Sequence, residues 1–308
     1  MCLFLWLIYQ QLLQKGNLDA QWQELKAYWY SADKLIFVVV LLLAPLNWFI
    51  ESIKWRVMMY KIQKVSGWVA FKAILTGIAF GIVTPGKVGD FAGKILYIDN
   101  GRKLNAAVAT LTVNVIQVLA SSTIGYCALV YMTFAYPSSW LSTVCWLATL
   151  SIVLLLLLFL LRHRLNTLMQ RLPALRKVFK LIRVLKRYSA SDIFKVYALS
   201  VLRFFTYNFQ FLLLANALNS GIPWFDGFAA TLLMFWLITM IPSLFLSDIG
   251  VRGFLASLLF MQTSLAQNDV AMLTSSYIIW LLNLVLPAIV GSIFLLTIKY
   301  SKNTKKQN

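Results

Sequence analysis

Between two apolar runs the chain reads TPGKVGDFAGK, residues 84–94, with one proline, three glycines, two lysines and an aspartate. Such a stretch breaks a membrane helix where it would otherwise continue. Its flanks decide where the chain goes next. Lys54, Arg56, Lys61 and Lys64 precede it, and Arg102 and Lys103 follow it. Basic residues beside apolar segments collect on the cytoplasmic side, so both flanks are expected there. Residues 69–83 then descend into the membrane and residues 90–99 return. Non-helical backbone at membrane depth survives only where protein or a watery cavity covers it. Asp90 falls near the start of the returning helix, where the positive end of the helix dipole favours a carboxylate and can equally receive an anion.

The whole composition agrees with a membrane setting. Of 308 residues 60% are hydrophobic and 12% charged, whereas soluble domains carry about 25% charged residues. Several runs approach the roughly 20 residues that cross a bilayer core. The expected fold is all-α, a polytopic helical membrane bundle, and residues 1–308 form one transmembrane domain because no polar linker divides them. The net charge of +18 is placed by topology rather than by nucleic acid. Residues 162–187 hold nine Lys/Arg and no acid, and residues 299–306 hold four more. Both segments, and both termini, are expected in the cytoplasm. In residues 175–187, Leu175, Val178, Phe179, Ile182 and Leu185 share one helical face and basic residues most of the other, a pattern suited to a helix lying on anionic lipid.

Cys2, Cys127 and Cys145 are scattered, and His163, the single histidine, sits among arginines. A histidine-dependent triad and a multi-histidine metal site are thereby excluded; no metal and no cofactor are expected. Residues 2–13 are too short an apolar run to span comfortably and lack signal-peptide features, which suggests a shortened first helix or an upstream start. Further spans are expected at 35–50, 106–136, 141–161, 194–218, 228–241 and 273–298. Gly77 and Gly81, four apart, permit close helix packing.

A second interruption, PSLFLSDIGVRG at residues 242–253, repeats the first in kind: proline, a short turn, an aspartate, a glycine and a basic residue. Its flanks, NSGIPW and AQNDV, hold no lysine or arginine and read as external. One hairpin enters from each side. That is an inverted repeat, the pattern of transporters whose sites form at broken helices, with halves 33–136 and 193–298 joined by the span 141–161 and a basic cytoplasmic segment 162–190.

At NWFIESIKWR, TPGKVGDFAGK and IPSLFLSDIGVRG the chain resembles the transmembrane, flippase-like region of lysylphosphatidylglycerol synthases and their stand-alone relatives. Thr84, Pro85, Gly86 and Gly89 match the first family motif, with Asp90 in place of glutamate. Pro242, Gly250, Val251 and Arg252 match the second, where Gly253 replaces a glutamate and Asp248 stands in a usually small position. The resemblance implies an inner (plasma) membrane protein that moves a lipid or lipid-linked anion between leaflets. The soluble aminoacyl-transferase domain of the full synthases is not in this chain, so lysyl transfer is not expected.

Three functions are in view. The first is a transporter or flippase for an anionic amphiphile, with membrane lipid as partner. The second is a non-catalytic membrane partner of a lipid- or glycan-modifying enzyme, acting through a partner protein or as a homo-oligomer. The third is a membrane enzyme on a lipid-linked substrate, which no nucleotide or metal motif supports. The candidate substrate-binding residues are Thr84, Pro85, Gly86, Lys87, Gly89, Asp90, Asp248, Gly250 and Arg252. Lys87 and Arg252 would attract a phosphate, and Asp90 and Asp248 would hold those cations or exchange protons; the plainer reading makes them caps and charge partners of buried turns. Intramembrane ionisable groups are costly and functional by default, and the two turns are expected to share one polar centre.

Overall fold

The computed structural model describes residues 34–84, 88–160, 187–241, 245–261 and 268–307, together with 23, 26, 27, 30 and 265. The basic segment expected as an interfacial helix lies outside these residues up to position 186, as does His163. Ten helices follow one another among the described residues: α1 (Lys34–Met59), α2 (Gly67–Ile82), α3 (Gly89–Ile95), α4 (Lys103–Ala135), α5 (Ser139–Leu160), α6 (Ala190–Ala217), α7 (Trp224–Met240), α8 (Phe245–Ala256), α9 (Asp269–Trp280) and α10 (Leu286–Gln307). Among the described residues four stretches are long and apolar enough to cross a membrane: Lys34–Met59, Asn100–Ala135, Ala190–Ala217 and Val270–Leu296. The fold is an all-α membrane bundle.

Two expectations change. The first span does not stop at residue 50; α1 runs on to Met59. Lys54, counted above among cytoplasmic charges, is fully buried, because Glu51 one turn earlier holds its ammonium at 2.8 Å. The second interruption is also shorter than its composition suggests. Helix α8 already begins at Phe245, so Asp248 lies in its first turn, where a carboxylate complements the helix dipole. The helix continues through a π-helical stretch, Ser257–Met261. A second π-helical stretch, Leu281–Val285, joins α9 to α10. Pro287 follows it and has no N–H to give the carbonyl of Asn283, which accounts for the local change of helix type.

Contacts between chain segments define two ends. At one, the Asp99 amide donates to Gln63 at 3.1 Å, the Tyr188 hydroxyl donates to the Met58 carbonyl at 3.0 Å, and Lys61 reaches Asp192 at 3.7 Å. Burial pushes the Tyr188 phenol up to about 12, so it stays a donor throughout the physiological range. At the other end, the Asn268 amide donates to the Ser220 carbonyl, and Asp226 accepts from Tyr131 and Tyr136. Helices α2 and α3 therefore leave the first end and come back to it, and α7 and α8 do the same from the second. Lys61, Lys64, Arg102, Lys103 and Arg187 border the first end.

Helix α2 has 16 residues, about 24 Å at 1.5 Å per residue, short of the ~30 Å hydrocarbon core. It reverses into α3 instead of crossing. The Thr84 hydroxyl closes this turn, accepting from the Gly89 amide at 2.7 Å and donating to the Phe80 carbonyl at 3.1 Å. The returning helix then lies directly on α2. A Cβ on Gly93 would sit 2.6 Å from the Thr76 carbonyl oxygen, and one on Gly77 would sit 2.6 Å from the Asp90 carboxylate. The same device recurs where hairpin arms meet crossing helices: Gly291 of α10 receives the α2 backbone at Leu75, and Gly125 of α4 receives Trp236 of α7. Close backbone approach through small residues is how membrane helices pack without a hydrophobic drive between them.

Gly93→Val forces the hairpin arms apart and is expected to cost about 1–3 kcal/mol, read as a lower thermal-unfolding midpoint of the detergent-purified protein. Gly101→Val, at a glycine with open space around it, is expected to leave that midpoint unchanged.

Candidate functional site

Two helices carry a polar stripe at i, i+4, i+7 through otherwise apolar sequence: Asn47, Glu51 and Lys54 on α1, and Arg203, Tyr207 and Gln210 on α6. That spacing puts each set on one helical face. Helices α1 and α6 pack together, and the stripes meet.

At one place along the seam Glu51 gathers three cations. Its carboxylate lies 2.8 Å from the Lys54 ammonium, 3.2 Å from Nη1 of Arg203 and 3.7 Å from the ammonium of Lys94. Lys94, on the returning helix α3, also donates to Asp90 at 2.7 Å. The side-chain oxygen of Gln117 on α4 accepts from Lys54 and, at 3.5 Å, from Arg203. Lys54, Lys94 and Glu51 are buried, Asp90 is mostly so, and Arg203 keeps 32% of its side chain exposed.

One turn further along α6, about 6 Å at 1.5 Å per residue, lies a second centre. Asp248 and Arg252 of α8 pair at 3.1 Å. Arg252 also donates to the Tyr207 phenol at 3.2 Å and sits over the Phe235 ring of α7 at 5.7 Å, within cation–π range. The Trp280 indole of α9 donates to Asp248 at 2.9 Å. Beyond it an amide chain crosses the bundle. Asn47 donates to Asn283 at 2.9 Å, Asn283 to Gln210 at 2.8 Å, and Gln210 to the Val40 carbonyl at 2.7 Å.

The two centres are built alike. Each returning helix carries an aspartate and, four residues on, the cation it binds: Asp90 with Lys94, Asp248 with Arg252. In each, an acceptor on a long crossing helix, Glu51 of α1 or Tyr207 of α6, also reaches the cation. The counterpart of Arg252 is thus Lys94. Pro85, Gly86 and Lys87 lie outside the described residues. Thr84 and Gly89 close the turn, and Gly250 is buried in α8. Asp90, Asp248 and Arg252 are placed in the polar seam. Each aspartate pairs within its own helix, and the two turns are linked through α6 at Arg203 and Tyr207.

Sequence reasoning did not single out Glu51, Lys54, Lys94, Gln117, Tyr207, Gln210 or Trp280 for the site. Two signals were available: the D-x-x-x-K and D-x-x-x-R spacings in the two interruptions, and the i, i+4, i+7 polar stripes.

Arg252 has its donors engaged by an acid, a phenol and a ring, so truncating it removes the cation paired with the buried Asp248. Arg252→Met is expected to destabilise by about 3–5 kcal/mol, and Asp248→Leu with Arg252→Met by less than the sum of the two single changes. Thermal unfolding of the three variants in detergent measures this, and additive losses would show that the pair does not couple.

The sequence profile of the family described as Lysylphosphatidylglycerol synthase TM region matches residues 3–291. A comparison with curated proteins finds no match. The match spans both hairpins, the crossing helices between them and every described residue of the polar seam, and the chain belongs to the lysylphosphatidylglycerol synthase transmembrane-region family.

Proposed function

We propose that this protein moves an anionic lipid or lipid-linked amphiphile between membrane leaflets, without covalent chemistry of its own. One observation carries the reading: two hairpins, entering from opposite ends, each deliver an ion-paired returning helix to one polar seam between α1 and α6. Buried ionisable groups in membrane segments mark pathways for polar groups, and broken helices meeting inside the bundle form transporter sites. Membership of a family named for a lipid-modifying membrane protein agrees with a lipid substrate.

An inverted repeat is part of the proposal. Its support is the exchange of packing partners: α2 of the first half packs on α10 of the second, and α7 of the second packs on α4 of the first, each through a glycine. The shared arrangement of Asp90–Lys94 and Asp248–Arg252 is a second support. A protein so built presents equivalent half-sites to the two membrane faces, as leaflet exchange requires. The basic end is assigned to the cytoplasm of a plasma (inner) membrane protein, with both termini on that side.

Reconstitution in vesicles tests the function. With fluorescent phosphatidylglycerol in one leaflet, the protein is expected to speed its transfer while leaving its mass unchanged; an enzyme would change the mass, and an accessory partner would do neither alone. Lys94→Gln is expected to slow transfer about tenfold or more, the equivalent of losing ~1.4 kcal/mol at the barrier. Transfer at the rate of protein-free vesicles rejects the proposal.

Sidedness is tested separately. On a cysteine-free background, cysteines at Lys64 and Lys103 are expected to react with impermeant reagent from the cytoplasmic face and one at Asn219 from the opposite face. Labelling of all three from one face would overturn the two-ended hairpin arrangement.

A further inference from the structure

The Glu51 centre does not balance its charge. Among the described residues it contains three cations, Lys54, Lys94 and Arg203, and two acids, Glu51 and Asp90. One positive charge is in excess. In the neighbouring centre the described ion pair, Asp248 with Arg252, holds one charge of each sign. Uncompensated charge inside an apolar bundle is costly, and a ligand or a partner ordinarily meets it.

The excess has an address. Lys54 and Lys94 are buried and directed at Glu51, Gln117 and Asp90. Arg203 makes one ion pair, with Glu51 at 3.2 Å, and one long contact, with Gln117 at 3.5 Å. Its Nε is buried with no hydrogen-bond partner among the described residues, and about a third of its side chain is exposed. A guanidinium has five N–H donors in a planar fork that matches phosphate oxygens. Arg203 therefore keeps donors for an arriving oxyanion.

The surroundings name the source of that anion. Arg203 lies within α6, a stretch long and apolar enough to cross a membrane, and on that helix Leu202, Phe205 and Phe209, at i, i+3 and i+7, form an exposed apolar stripe. This is a surface for acyl chains rather than for water. We propose that Arg203 receives the headgroup of a membrane lipid carrying a single net negative charge, a phosphodiester, and that the Glu51 centre selects by charge balance. One negative charge brings the centre to neutrality. A zwitterionic headgroup leaves the excess in place. A lysyl-esterified headgroup, whose two amines outweigh its phosphate, adds to it and binds worst. The inference rests on the lipid-handling reading above and states which lipid class the site takes.

Native mass spectrometry of the purified full chain tests it. With equal dioleoyl phosphatidylglycerol and phosphatidylcholine, the wild type is expected to retain the glycerol lipid about tenfold more. Synthetic lysyl-phosphatidylglycerol is expected to compete no better than phosphatidylcholine, and inorganic phosphate at millimolar concentration not to displace the bound lipid. Arg203→Gln makes the centre neutral without stranding an acid, and is expected to abolish the preference. Gln117→Glu keeps Arg203 but supplies the missing charge from within, and is expected to abolish it too. Each variant's unfolding midpoint reports its folding, and the unaltered Asp248–Arg252 centre is common to both. Retained preference in either folded variant, equal binding of the two lipids, preferred binding of the lysyl lipid, or displacement by phosphate would each overturn the proposal. Binding and transfer are read apart: selective binding without leaflet transfer overturns only the transport reading, and transfer without selectivity overturns only this one.

Discussion

The structure depends on the burial of charge where there is no water to relieve it. Glu51 is the pivot. One carboxylate on α1 is approached by a lysine of its own helix, a lysine from the returning arm α3 and an arginine from α6. An arginine or lysine alone at the bilayer centre costs about 2.5–3.5 kcal/mol on insertion scales. Pairing removes much of that cost only where the geometry holds, so the helices that bring the partners are held in turn. The α1–α6 seam, the position of α3 on α2 and the place of Gln117 on α4 follow from satisfying one group of charges.

The glycines serve the same requirement. Lys94 reaches Glu51 only if α3 lies close on α2, and it does so because Gly77 and Gly93 let the two backbones touch. A hairpin held by apolar side chains would stand further away and lift Asp90 and Lys94 out of the seam. Local sequence, close packing and electrostatics are therefore one constraint at this point of the chain: a glycine contact between arms fixes a salt bridge to a third helix.

Much of this was legible before any coordinates. Composition gave an all-α membrane fold, and the proline and glycines of residues 84–94 gave the first reversal. The basic flanks 61–64 and 102–103 put both ends of that hairpin on one side, and the flanks of the second hairpin, without lysine or arginine, put it on the other. The interior charges were harder to read. Lys54 sits in a run with Arg56, Lys61 and Lys64, and charge counting cannot tell a buried lysine from a topogenic one; only the carboxylate three residues earlier separates them. Lys94 closes the very stretch that marked the turn, yet Lys87 drew attention because it lies among the glycines. Arg203, Gln117 and Asn283 were visible as polar residues in apolar spans, but their partners lie 63 to 236 residues away, a separation no local pattern encodes. The start of α8 was missed because Ser247, Asp248 and Gly250 resemble loop composition, while the helix is held by an ion pair one turn long.

The π-helical stretch at Leu281–Val285 divides the last crossing into two rods that belong to different partners. Helix α9 packs on α8 and supplies Trp280 to Asp248, whereas α10 packs on α2 through Gly291. The joint between them is clamped by Asn283, which accepts from Asn47 and donates to Gln210. Mechanically this is an articulated rod with a latch. The amides fasten that joint to α1 and α6, so the point at which the crossing changes helix type is also the point at which it is tied to the polar seam.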